Sequence, residues 1–337
     1  MENSYKINDL FEWSVLSDFT ELAKFLEENY VEDKDNQFRL KYTEHFLQWA
    51  LKFPGYITDW LICIRVKSNK KIIAFISAIP IKLSIDSVII DTAEINFLCV
   101  HKKLRNKKIT PILIKELTRR VNLFNFTQAI YTSGKLLSEP VVTYKYWSRA
   151  LNIPKLYKIG LVNVSERLTL ERIIRIYSLK KNNVKAHKLT HAYIVELYEL
   201  FTSYYKKYKL HQVFTIDEFT YMMLNDNIHA YITIINGKIS DFISFYSLSS
   251  TVISSGEELR VAQSYYFIST KTSLIELFSL ALNIAKDLGF DIFNSLDIMN
   301  YSSVFNTLRF ELGDANLNYY LYNFAAIKNN EIGKILL

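Results

Sequence analysis

Cysteine is scarce: two residues in 337, Cys63 and Cys99, each inside an apolar run. That usage reads as buried free thiols in a reducing compartment and excludes a disulfide-stapled fold. A Cys99/His101 nucleophile pair is the rival reading, but two residues on one strand rarely hold the geometry of a thiolate–imidazole pair. Histidine is also sparse, with six residues. His187 and His191 are spaced for one helix face, yet no carboxylate or cysteine motif completes a ligand set, so no metal is expected. Long hydrophobic runs are missing; Leu274–Ala285 is broken by Glu276 and is too short to span a bilayer. The start, Met1–Ile7, is polar and charged, which excludes a signal peptide there. No Met-Gly start or C-terminal Cys box marks the chain for its own lipidation. These absences together point to a cytoplasmic protein without a membrane-spanning segment.

What is present is a large apolar and aromatic content, 50% hydrophobic with 23 Tyr and 22 Phe, enough for a large core or two domains. The net charge is +7. Its basic clusters are local, at His101–Lys108, Arg172–Lys188 and Tyr204–Lys209. No zinc-finger spacing, RNA-binding signature or extended basic helix accompanies them, so nucleic acid is not an expected partner. An anionic small molecule remains.

The most informative stretch is EINFLCVHKKLRNKKITPILIKELTRR, Glu94 to Arg120. Glu94–Val100 is β-prone and free of Gly and Pro, which predicts a buried strand. His101–Lys108 is a loop with five Lys and Arg. Thr110 and Pro111 then suit the N-cap and first position of a helix. Its core side would be Ile112, Leu113, Ile114, Leu117 and Val121, with Lys115, Arg119 and Arg120 in solvent. A strand end, cations and a helix N-terminus at one spot make an anion site, most plausibly for phosphate. A solvated lysine-rich loop is the alternative.

In order, the spacing predicts a helix over Ser17–Glu28 capped by Ser17, an acidic loop over Asn29–Leu40, and a short helix over Glu44–Lys52. Strands follow at Ile62–Val66, Ile72–Ile79 and Ile81–Ile90, then the central strand, the helix to about Asn125, and a strand at Ala129–Tyr131. The second half repeats this order. Tyr193–Tyr205 is a helix, Ala230–Ile235 a strand turning at Asn236–Gly237, and DFISFYSL (Asp241–Leu248) echoes AFISAIP (Ala74–Pro80). Ser264–Ser269 echoes the central strand and Ser273–Leu288 is again a helix. A duplicated α/β unit follows. The second copy's loop, Thr270–Ser273, carries only Lys271, so a phosphate-rich ligand belongs in the first copy.

The Glu94–Arg120 block closely resembles the acyl-CoA-binding core of myristoyl-CoA:protein N-myristoyltransferases. Lys108 stands where that family has Arg, and Asn106 where it has Ser. The resemblance extends from about Tyr5 to Leu337 through YVEDKDNQFR (Tyr30–Arg39), FISAIP (Phe75–Pro80), YTSG (Tyr131–Gly134), KYWSRALN (Lys145–Asn152), DFISFYSLSST (Asp241–Thr251) and GDANLNYYLYN (Gly313–Asn323). It implies an α/β fold of two tandem acetyltransferase-type (GNAT) units in one pseudo-symmetric, saddle-like sheet with surrounding helices. Residues 1–155 would form the acyl-CoA half. Residues 156–337 would supply most of the peptide groove and a C-terminal carboxylate.

The implied activity is transfer of a myristoyl group from myristoyl-CoA to an N-terminal glycine amine, without metal. By the resemblance, backbone N–H groups of Phe97 and Leu98 form an oxyanion hole, Cys99 and Val100 line the pantetheine and acyl path, and Arg105, Asn106, Lys107, Lys108, Ile109 and Thr110 hold the CoA phosphates. Asn96 and Thr132 hold the amine, and the carboxylate of Leu337 is the base. Tyr30, Asp33, Asp35, Phe38, Tyr42, Tyr146, Ser250, Asp314 and Leu317 match groove positions for an N-terminal-glycine peptide. Lys34, Ser148 and Gln263 depart from the family pattern. The chain also starts almost at its first helix, so the resemblance implies that the usual upstream lid over the acyl-CoA is absent or built otherwise. A monomer with transient membrane proximity is implied too. Other acyl chain lengths, a lysine acceptor, or a non-catalytic binding relic stay open at this level.

Overall fold

In the strands Ile72–Ile85 and Val88–Val100, the stretches Ile72–Ile81 and Thr92–Val100 are buried or half-buried on both faces, as strand segments covered on two sides must be. They form the hairpin on which one side of the molecule is built. The computed structural model describes residues 3–30, 38–162, 169–324 and 331–337. Fourteen strands among these residues join one sheet. In the first half they are β1 (Phe11–Val15), β2 (Phe38–Lys41), β3 (Leu61–Val66), β4 (Ile72–Ile85), β5 (Val88–Val100), β6 (Ala129–Ser133) and β7 (Val142–Ala150). In the second they are β8 (His187–Lys188), β9 (Leu210–Val213), β10 (Ile228–Ile235), β11 (Lys238–Val252), β12 (Glu258–Ile268), β13 (Ile292–Leu296) and β14 (Glu311–Tyr322).

The spatial order is β1-β3-β4-β5-β6-β14-β7-β13-β12-β11-β10-β8, with β2 on β11 and β9 on β4. It is mirrored about its centre: β3, β4, β5 and β6 run from the edge inward on one side as β10, β11, β12 and β13 do on the other. Each half lends the other a strand, since β7 pairs with β13 and β14 with β6. One large core covers one face of the sheet across both halves. A second lies between the other face of β3–β5 and the helix Ile109–Asn122. The expected α/β duplication is therefore observed.

Several local expectations need correction. β4 runs unbroken through Pro80 to Ile85 and turns at Asp86–Ser87, both at positive φ. Pro80 is tolerated because it lies between the last β3 partner, Ser77, and the first β9 partner, Lys82, where one edge of β4 has no neighbour. The first helix, Phe19–Asn29, is capped by Asp18 rather than Ser17; its carboxylate accepts from the N–H of Thr20 and Glu21. Phe38–Leu40 is not loop but part of β2, paired with Leu40 opposite Ser250. The helix after the basic loop starts at Ile109, not after Thr110. Its Ile114 is exposed, whereas Glu116 is buried and binds both Arg119 (2.7 Å) and Arg120 (2.8 Å). His187 lies on β8 and His191 in a 3-10 turn, so they share no helix face.

The loops after the two central strands, β5 and β12, differ in chemistry. AFIS (74–77) and DFIS (241–244) occupy matching places: Ser77 Oγ donates to the Asn96 carbonyl and Ser244 Oγ to that of Tyr266. Asp241 thus stands where the first copy has Ala74. The Asp241 side chain accepts the backbone N–H of Thr270 (2.7 Å), Lys271 (2.8 Å) and Thr272 (3.1 Å). Hydroxyls of Thr233 and Thr272 add to this. The following helix, Leu274–Asp287, is closed by a Ser273/Glu276 capping box. The second loop already contains its own anion.

Burial pushes the Asp241 carboxyl up, but hydrogen bonds from the loop N–H groups and hydroxyls outweigh that and hold it below its usual value. A carboxylate lowered in the fold stabilises it above about pH 4 and loses that contribution as pH falls through the lowered pKa. Asp241→Asn should therefore cost about 3 kcal/mol at pH 7, since several buried N–H groups lose an ionised acceptor. Denaturant unfolding should show the gap from wild type closing at acid pH. Unchanged stability at pH 7 would show that the carboxylate is not what orders this loop.

Candidate functional site

The site begins with an irregularity in β5. Phe75 pairs with Cys99 and Ser77 with Asn96, so Ile76 alone faces both Phe97 and Leu98. That two-against-one count is a β-bulge, and Phe97 sits in it at φ 55°. A bulge turns backbone N–H groups out of the ladder. On its other edge β5 pairs in parallel with β6 only over Ala93–Ile95 and Ala129–Tyr131. Beyond that the strands part, and β6 continues against β14 instead. Asn96 and Thr132 are the first residues past the parting, one on each lip of the opening. Cys99 faces the larger core and Val100 the smaller. Sequence reasoning brought Asn96, Phe97, Leu98 and Thr132 together, and the strand geometry does likewise.

At the far end of β5 the basic loop is pinned rather than loose. Buried Asn29, which sequence reasoning passed over, accepts the N–H of Lys102 on Oδ1 (3.1 Å), and its carbonyl accepts from Arg105 Nη2 (2.5 Å). His101 Nδ1 accepts from the N–H of Lys103. Arg105, Asn106, Lys107 and Lys108 are exposed around the start of the helix. Lys108 turns into it in the left-handed conformation, and no side chain caps the helix. Its first N–H groups and dipole are therefore available to an anion, in contrast to the self-capped second copy. Ile109 is buried beneath this end and Thr110 is half-buried.

The Cys99 thiol is pushed up to about 12 by burial, against a smaller opposing effect of the Arg105 guanidinium. It is protonated at neutral pH, and His101 is engaged in the loop, so the nucleophile pair does not form.

Aromatic residues crowd the opening. The Phe97 ring lies 5.2 Å from Tyr42 and 6.0 Å from Tyr30. Tyr146 joins them: burial pushes its phenol up to about 12, and burial likewise raises those of Tyr30, Tyr42 and Tyr246, with Tyr146 adding a smaller push to each. Opposite Tyr146, β14 bulges, since Leu312 pairs with Trp147 and Asn316 with Lys145. Asp314 rides that bulge, exposed, and Leu317 pairs with Tyr144. In the β2–β11 pairing Phe38 lies opposite Val252 and Ser250 opposite Leu40. Asp33 and Asp35 lie outside the described residues.

The tail comes to the same place. It does not add a final edge strand among the described residues. Ile332 makes one bridge to Leu210, and the Gly333 N–H donates to the Leu210 carbonyl (2.7 Å). A Cβ on Gly333 would stand 2.5 Å from the Tyr208 ring, so only glycine lets the tail pass there. The Ile335 N–H then donates to the Tyr266 hydroxyl (3.2 Å) and the Leu336 N–H to that of Tyr319 (3.4 Å). Lys334 forms an ion pair with Glu94 on β5 (2.9 Å). Ile335 and Leu336 are buried, and Leu337 packs on the large core. Glu94 and Lys334 were missed although each is a charge inside an apolar run, which is the signal that could have found them.

Two family descriptions match the chain: myristoyl-CoA:protein N-myristoyltransferase, N-terminal domain, over residues 1–144, and the C-terminal domain over 158–334. The glycylpeptide N-tetradecanoyltransferase of Plasmodium falciparum is 40% identical over 349 residues, covering all of this chain and 85% of that protein. Glycylpeptide N-tetradecanoyltransferase 2 of Bos taurus is 41% identical, with 99% and 70% covered. Saccharomyces cerevisiae N-myristoyltransferase, solved with bound myristoyl-CoA, superposes with a TM-score of 0.93 at 34% identity, covering 100% of this chain and 87% of that one. A GCN5-related N-acetyltransferase from Anabaena variabilis, 9% identical with a TM-score of 0.53, shares the fold alone, over 92% of this chain and 72% of its own. With the parted strands and the uncapped basic loop beside these matches, the chain belongs to the myristoyl-CoA:protein N-myristoyltransferase family.

Proposed function

We propose that the chain transfers a tetradecanoyl group from myristoyl-CoA to the N-terminal glycine amine of proteins. The observation that carries this reading is the parting of β5 from β6 at the Phe97 bulge, with Asn96 and Thr132 on its lips. Residues 1–155 hold the acyl donor: its phosphates lie against Arg105–Thr110 and its pantetheine runs along Phe97–Val100. Residues 156–337 supply most of the groove and the tail. Tyr30, Phe38, Tyr42, Tyr146, Ser250 and Leu317 line the peptide's path, with Asp33, Asp35 and Asp314 favouring cationic side chains.

In the reaction, Asn96 and Thr132 hold the glycine amine, which arrives largely as ammonium because its pKa is about 8. The Leu337 carboxylate takes a proton from it, and the freed lone pair attacks the thioester carbonyl. N–H groups of Phe97 and Leu98 hold the oxygen on which negative charge develops. The C–N bond forms, the C–S bond breaks, and the thiolate leaves with one of the two protons still on the nitrogen, the other staying on the amide. The neutral, buried Cys99 thiol supports direct transfer without an acyl-enzyme. We place the work in the cytoplasm and assign it to a monomer that meets membranes transiently. Among the described residues no helix is long and apolar enough to cross one.

Intact-mass analysis with a Gly-starting peptide should show addition of the tetradecanoyl group, and neither an Ala-starting peptide nor one acetylated at Gly should react. Equal turnover of the Ala peptide, a faster rate with short-chain acyl-CoA, or modification of a lysine would overturn the assignment. The Arg105→Ala/Lys107→Ala/Lys108→Ala variant should bind myristoyl-CoA at least about tenfold more weakly by calorimetry, because phosphate contacts are charge-assisted. Undiminished affinity would make the loop mere surface. Amidating the Leu337 carboxylate, or adding one residue after it, should cut kcat by roughly 10²-fold or more while Tm and acyl-CoA affinity stay near wild type. An amidated protein that keeps the full rate at pH 7 would place the base elsewhere.

A further inference from the structure

We propose that Lys334 and Glu94 act as a positioning pair for acyl transfer, fixing the orientation of Asn96 and holding the last residues of the chain to the same strand. The inference rests on the functional reading above. Glu94 is 2% exposed and Lys334 is 3% exposed, so both charges are withdrawn from water. A buried ion pair is expensive to form, and it is seldom the most stabilising use of two core positions. Its persistence here, three residues before Leu337 and two before Asn96, asks for a role beyond packing.

The hydrogen bonds supply one. Glu94 Oε1 accepts from Asn96 Nδ2 (3.1 Å), while Oε2 faces Lys334 Nζ at 2.9 Å. An ionised carboxylate only accepts, so the Asn96 amide must turn its NH2 inward. Its carbonyl oxygen is then left to accept an N–H from the amine at the parting of the strands. The Asn96 backbone carbonyl is held independently by Ser77 Oγ. Lys334 Nζ also donates to Gln212 Oε1 on β9 (2.6 Å), the strand beside which the tail enters. One ammonium therefore ties together the strand that carries Asn96, the strand that guides the tail, and the tail itself.

The test is steady-state transfer from myristoyl-CoA to a Gly-starting peptide at pH 7. Lys334→Met should lower kcat at least tenfold with KM for myristoyl-CoA within twofold of wild type. Lys334→Arg should recover most of the rate. A Lys334→Met protein with wild-type kcat overturns the proposal. If that variant does not fold, Glu94→Gln/Lys334→Met leaves no unpaired charge; it should show the same fall in kcat. Wild-type kcat in that double variant overturns the proposal equally. Failure of the unmodified protein to transfer at all falls on the functional reading instead, so the two failures are distinct.

Discussion

A strand made to depart from its own ladder is the constraint on which the rest depends. Phe97 holds a left-handed backbone inside β5, where a non-glycine residue costs about 1–3 kcal/mol. Its surroundings impose that conformation. The Ser77 hydroxyl grips the Asn96 carbonyl on one side, and the rings of Tyr30 and Tyr42 close on the Phe97 side chain on the other. A residue this far from its preferred geometry persists only when its neighbours over-determine it. What it yields is a stretch of backbone with N–H groups turned out of the sheet and an edge free of β6 from Asn96 onward.

The two halves show how one architecture is opened for a ligand or closed against it. Both have a splayed central strand, a loop and a helix. In the second half β12 pairs with β13 only over Val261–Gln263 and then runs on to Ile268. Yet there the loop N–H groups go to Asp241 and the helix start to Ser273 and Glu276. In the first half Ala74 replaces the aspartate, Lys108 leaves the helix uncapped, and cations replace the internal carboxylate. The difference is electrostatic: one loop is already neutralised by its own chain, and the other awaits an anion. The second half also returns the tail, which Tyr266 and Tyr319 receive through hydroxyls from β12 and β14.

Much of this was legible in the sequence, because it is local. Apolar runs with β-branched residues gave β3, β4, β5, β10 and β11, and the echo of AFIS in DFIS revealed the duplication. The resemblance points to Asn96 and Phe97 through the Glu94–Arg120 block and to Thr132 through YTSG (Tyr131–Gly134). What stayed hidden depends on partners far along the chain. Nothing around Asn29 indicates that it pins a loop more than 70 residues away, and nothing around Pro80 says which edge of its strand lacks a neighbour. The exchange of β7 and β14 is likewise invisible to periodicity, since each strand looks the same in either half. The cap of the first helix falls to Asp18 rather than Ser17, two adjacent residues of types that both suit an N-cap. The pair Glu94 and Lys334 needed the fold, because only three-dimensional closure explains why both charges sit in apolar runs.

The account comes down to one claim: the chain has a single acyl-CoA site, at the loop whose anion must come from outside. Hydrogen–deuterium exchange of the intact protein, followed by mass spectrometry with and without myristoyl-CoA, tests it most directly. The account predicts slowed exchange over residues 97–110 on binding and no change over residues 264–273, where Asp241 already occupies the loop. Equal protection of both loops, or protection of the second alone, would contradict it.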